Sequence, residues 1–152
     1  MQKLFFSTLL SFLLISKSLF AQGHGPHNLN KAGVAIDGYD PVAYFKQSKA
    51  IEGKKEWSVT IDGANYLFSN PQNATSFKAD PSKYQPQYGG WCAYAMGAIG
   101  EKVEVDPETF KIIDGKLYLF YNKFFNNTLK SWNKDEGNLK QKADANWKKF
   151  NH

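Results

Sequence analysis

Arginine is absent from this chain, cysteine occurs once, and histidine occurs three times, only near the ends. Each scarcity removes a class of function. Readers of nucleic acid and phosphate lean on the planar fork of arginine, so a chain whose basic residues are all lysine is not expected to bind nucleic acid. A single cysteine, Cys92, cannot form an internal disulfide. It is a small buried filler, a metal ligand, a reactive thiol or a link to another chain. The histidines are His24, His27 and His152, with none between Asn28 and Asn151. A Ser/His or Cys/His catalytic pair therefore cannot be assembled within the body. Apolar runs are scarce too. The run from Leu4 to Ile15 is too short to span a bilayer comfortably, and no later segment is long and apolar enough.

That one apolar run follows a basic start, Met1-Gln2-Lys3, and ends at a small residue, Ala21. The layout is that of a secretory signal peptide over residues 1–21, which predicts a periplasmic or secreted protein. Loss of Lys3 and Lys17 reduces 19 lysines to 17, against 14 acids, for a net charge of +3. This mild basicity reads as a solvated lysine surface with a weak attraction to anionic envelope surfaces. Aromatic residues make up 16% of the chain, which supports a packed core in one domain. Residues 22–33, rich in Gly, His and Asn, read as a flexible leader.

The body alternates between strand and helix signals. Trp57–Ile61 and Asn65–Phe68 flank Asp62-Gly63, a hairpin turn signal. Asn70-Pro71 opens a short helix toward Phe77, which stops before Asp80-Pro81. Phe110–Ile113 and Lys116–Tyr121 flank a second turn, Asp114-Gly115. Phe125, Leu129 and Trp132, then Leu139, Ala143, Trp147 and Phe150, recur at helical spacing, with Gly137 between the two helices. The segments Ile61–Asn70 and Ile113–Asn122 share seven of ten residues. The expected fold class is α+β: two β-hairpin–helix units in one small compact domain, followed by C-terminal helices. Asp37, Asp40, Asp62, Asp106 and Asp114 sit in Asp-Gly or Asp-Pro turns or close beside them, where a carboxylate bonds to nearby amides.

Several motifs resemble those of exported YHS-domain proteins. They are Ala35–Phe45, with Asp-Gly-Tyr-Asp-Pro at its centre; Phe77–Ala93, with Tyr-Gly-Gly-Trp-Cys near its end; Val105–Pro107; Asp114–Leu119; and Ala143–Trp147. The resemblance covers about residues 34–150. It implies a small α+β domain. It also implies an association with metals, especially copper handling and heavy-metal transport.

The residues around Cys92 allow that chemistry. Gly89 and Gly90 let the backbone bend before a helix-compatible run, so a thiolate at Cys92 would sit near a helix start. Met96 is four residues on, and a thiolate with a thioether suits Cu(I). Tyr88 and Tyr94 are placed to border the site. Cleavage after Ala21 would leave Gln22-Gly23-His24, whose amine, amides and imidazole can hold Cu(II) or Ni(II), with His27 as an axial ligand. The leading expectation is a binding module for a transition metal, copper favoured, through Cys92 with Met96 beside it, and a second, separate metal site is read at His24. Two alternatives stay open. One is a redox protein that cycles Cys92 through sulfenic acid or mixed disulfides. The other is a non-catalytic domain that recognises a small ligand or an envelope protein through its aromatic-rich surface.

Overall fold

Residues 25–150 are described by a computed structural model. The segment read as a signal peptide and the expected metal site at Gln22-Gly23-His24 both lie outside the described residues. The chain folds as α+β. In order, the elements are α1 (Ala43–Lys46), β1 (Lys54–Ile61), β2 (Ala64–Phe68), α2 (Pro71–Ala79), α3 (Pro81–Tyr84), α4 (Ala93–Ala98), β3 (Asp106–Ile113), β4 (Lys116–Phe120), β5 (Asn122–Lys123), β6 (Asn126–Asn127), α5 (Thr128–Lys134) and α6 (Glu136–Trp147). Strands pair antiparallel as β1–β2, β3–β4 and β5–β6.

Both Asp-Gly pairs form the turns their residues call for. Asp62 and Gly63 have φ of 50° and 77°, and Asp114 and Gly115 have 50° and 72°. Positive φ at both central positions is the tight hairpin turn that suits the twist of the strands. At the next helix, the Asn70 side chain accepts from the Asn73 amide, and Pro71 occupies the first helical turn, where a missing N–H costs nothing.

The internal echo extends well beyond the hairpins. Ser58↔Leu67, Val59↔Tyr66 and Thr60↔Asn65 pair in the first, as Phe110↔Leu119, Lys111↔Tyr118 and Ile112↔Leu117 do in the second. Both hairpins carry a register shift at the matching place, between Lys54 and Ser58 and between Asp106 and Phe110. A parallel bridge Val34↔Asn65 matches Pro86↔Leu117. Ile36, Asp37 and Gly38 have positive φ, as do Tyr88, Gly89 and Gly90. The Asp40 amide donates to the Ile51 carbonyl at 2.8 Å, and the Cys92 amide to the Val103 carbonyl at 2.9 Å. Asp40 and Cys92 thus stand at equivalent positions of two like units.

The core has two parts, divided by β4. Alternate residues of a strand face opposite ways. Leu117 and Leu119 join Tyr44, Tyr66, Phe68 and Phe77 on one side. Tyr118 and Phe120 join Tyr88, Met96, Trp132, Leu139 and Ala143 on the other. Helix α4 crosses α6 closely at Gly97, where a Cβ would lie 2.4 Å from the Leu139 carbonyl oxygen. Only glycine lets the two backbones meet there.

Two local expectations are corrected. Phe125 is outside the helix and lies in the turn between β5 and β6, because Asn127 caps α5 through the Leu129 amide. Gly137 does not separate the last two helices; it lies inside the first turn of α6, and the break falls at Asp135. The described part of the leader is tied down. The Asn28 amide donates to the Gly89 carbonyl at 2.8 Å, and the Trp91 indole donates to the Pro26 carbonyl at 3.2 Å.

Candidate functional site

Cys92 is the residue that precedes α4. Its φ and ψ are −57° and 116°, so it is extended and not yet helical. That conformation turns its side chain away from the helix face and toward the end of β4 and the start of α5. The Tyr121 amide donates to Sγ at 3.3 Å. The Thr128 hydroxyl donates to the Tyr121 carbonyl at 2.8 Å. With that proton committed, the thiol is the donor in the 3.5 Å contact between Sγ and Thr128 Oγ1. The thiol therefore ties the second hairpin to the following helix. Asp40 does the same in the first unit: its Oδ2 accepts from the Ser69 amide at 2.8 Å and from Asn73 Nδ2 at 2.7 Å.

Cys92 is closed to solvent, yet it forms the floor of an open cleft of about 330 Å³. Ala95, Ala98, Ile99 and Val103 give apolar walls, and Tyr94, Tyr121, Asn126 and Thr128 add polar ends. The Tyr94 and Tyr121 hydroxyls and the Asn126 side-chain carboxamide, all at least partly open to solvent, bond no other described residue. An apolar pocket with a few convergent polar groups is the usual form of a small-molecule site.

The expected metal set is distributed differently from its sequence spacing. Met96 is fully buried in the second core part and does not line the cleft. The i,i+4 rule brings side chains onto one face only when both residues are helical, and Cys92 is not. His24 lies outside the described residues. Among the described residues, no group of three or more His, Cys, Asp or Glu converges. Tyr94 lines the Cys92 cleft, whereas Tyr88 lines a different one. Tyr121, Asn126, Thr128, Ile99 and Val103 were not singled out from the sequence. The internal echo held the only signal for Tyr121, since it aligns Ser69 with Tyr121.

The second cleft measures about 610 Å³ and lies between the units, with Tyr66, Gln85, Tyr88, Asp144 and Trp147 among its walls. The Tyr88 hydroxyl donates to Asp144 Oδ1 at 2.8 Å. Burial, with the adjacent Asp144 carboxylate, pushes the Tyr88 phenol well above its usual range. His27 lines this cleft as well. Burial lowers its pKa below 6.5, against the opposing pull of Asp62. The unfolded chain therefore takes up this proton first as pH falls through about 6.5, and the folded state loses stability there. His27→Gln should flatten that part of the stability-versus-pH curve. Thermal melts of both proteins across this range check it, and identical pH profiles would count against the assignment.

Compared with protein-family models, curated proteins and solved structures, the chain matches none.

Proposed function

We propose that this is an exported, non-catalytic binding module of YHS type that holds a small, mainly apolar ligand over Cys92. The observation that carries the reading is an apolar cleft of about 330 Å³ lined also by Tyr94, Tyr121 and Asn126, whose side-chain polar groups bond no other described residue. The walls fit an aliphatic or aromatic body. The polar ends fit one or two hydrogen-bonding groups on it. Cys92 shapes the floor and keeps β4 and α5 in register. The export reading rests on the signal-peptide layout of residues 1–21 and the YHS reading on the motifs between residues 34 and 150.

Calorimetric titration of the processed chain, residues 22–152, with octanol tests this. Octanol joins an apolar chain to one hydroxyl. Ala98 is exposed and lines the cleft, so Ala98→Trp fills the space without touching the core. Octanol should bind the wild type, and the variant should lose about tenfold or more in affinity. Equal binding by both would remove the cleft as the site. A parallel Cu(I) titration against a chelator separates this reading from a copper site at Cys92. The apolar-ligand reading expects no competition for copper that depends on the thiol. Strong copper retention by wild type, lost in Cys92→Ser, would favour the metal instead.

A further inference from the structure

The two units differ in how the second strand passes into the helix that follows. In the first, Phe68 leads through Ser69 to Asn70, which caps α2 directly. In the second, β5, the pair Phe124-Phe125 and β6 are inserted before Asn127 caps α5. The first unit shows that the fold closes without such an insertion.

The insertion presents two aromatic rings to water. Phe124 is 89% exposed and Phe125 110%. They are the two central residues of a tight turn, since Lys123 pairs with Asn126. Their φ values are 52° and 61°. Glycine, asparagine and aspartate suit such positions, and bulky residues are strained there. The same chain uses Asp-Gly at its other two hairpin turns. Phenylalanine here serves neither the core nor the turn.

The surrounding charge is of one sign along the chain. Lys123, in the β5–β6 hairpin itself, and Lys130, in the first turn of α5, are exposed, and no Asp or Glu occurs between Gly115 and Asp135. At the base of the hairpin, Asn122 donates to Thr109, whose hydroxyl donates to Asp106, so that carboxylate is engaged within the protein. Exposed Ile99 stands on the rim of the cleft that Asn126 also lines.

We propose that the Phe124-Phe125 tip is a peripheral anchor for an anionic phospholipid bilayer. The two rings enter the interface while the neighbouring lysines meet the lipid headgroups. A convex two-residue tip suits a fluid interface, which needs no preformed pocket. A protein partner would need a broader face than two side chains offer. No helix among the described residues is long and apolar enough to cross a membrane, so the contact is peripheral. Two weak signals, apolar and basic, together give reversible attachment. This surface is independent of the ligand reading for the Cys92 cleft.

Flotation of the processed chain with vesicles of phosphatidylglycerol and phosphatidylcholine, and with phosphatidylcholine alone, tests the anchor. Wild type should float with the anionic vesicles and not with the neutral ones, and added salt should weaken it. The double variant Phe124→Asn, Phe125→Gly should bind at least about tenfold less. It should also melt at a higher temperature, because both residues suit positive φ, and this shows that lost binding is not lost folding. Equal flotation of variant and wild type would overturn the proposal. So would wild type that ignores anionic vesicles, including the case where the tip instead drives self-association.

Discussion

Asp40→Ala should lower the unfolding free energy by roughly 3 kcal/mol or more, which places it among the most damaging single changes in the chain. Asp40 is fully buried. Its Oδ1 accepts from the Val42 amide at 2.8 Å and from the Ala43 amide at 3.2 Å. Its Oδ2 accepts from the Ser69 amide at 2.8 Å, the Ser69 hydroxyl at 2.7 Å and the Asn73 side-chain amide at 2.7 Å. Alanine would strand these donors away from water, and a stranded donor costs more than the net worth of the bond it made. Urea unfolding should show the midpoint falling with the slope unchanged, and melting should drop by about 10 °C. Asp40→Asn keeps the shape but turns one acceptor into a donor, so its loss should be intermediate. A destabilisation below about 1 kcal/mol for alanine would contradict the role given to this carboxylate.

Trp132→Ala should cost about 3–5 kcal/mol by leaving a large cavity in the second core part. Trp132 is fully buried, with ring centroids 5.4 Å from Phe120 and 5.9 Å from Tyr118. Its indole donates to Glu136 Oε2 at 3.0 Å, and Lys111 holds the same carboxylate oxygen. The side chain thus locks α5 against β4 and against the start of α6. Since α5 begins at Thr128, the wall of the Cys92 cleft depends on it. Calorimetry should register the loss, with Trp132→Phe losing less because most of the volume and both ring contacts survive. Near-normal stability in the alanine variant would mean that this part of the core is not packed as described.

The hairpins, the Asn70 cap and the α+β class were legible because turns and caps demand particular residues locally. Asp62-Gly63 and Asp114-Gly115 state their φ values in their identities, and Asn70-Pro71 states a helix start. The equivalence of Asp40 and Cys92 was not legible, because the two residues share a geometric task and no chemistry. A carboxylate and a thiol each accept the amide at the end of a hairpin, yet an identity comparison scores them as a mismatch. The pairing of Cys92 with Met96 assumed that the helix had already begun at Cys92. One extended residue at the cap sends the two sulfur-bearing side chains apart. Phe125 fitted a helical pattern with Leu129 and Trp132 because spacing alone does not reveal a cap, and Asn127 supplies one. Asn126 reaches the cleft only through the β5–β6 insertion, which no periodicity marks.

Chemical-shift mapping of isotope-labelled residues 22–152 during titration with octanol tests the central claim most directly. The account predicts saturable shifts at the amides of Ala95, Ala98, Val103 and Tyr121, with the Tyr121 amide responding through its bond to Cys92 Sγ. Ala98→Trp should erase them. Shifts gathered instead around Gln85, Tyr88 and Trp147 would assign the ligand to the cleft between the units, and a spectrum unmoved by octanol would contradict the Cys92 cleft as a ligand site.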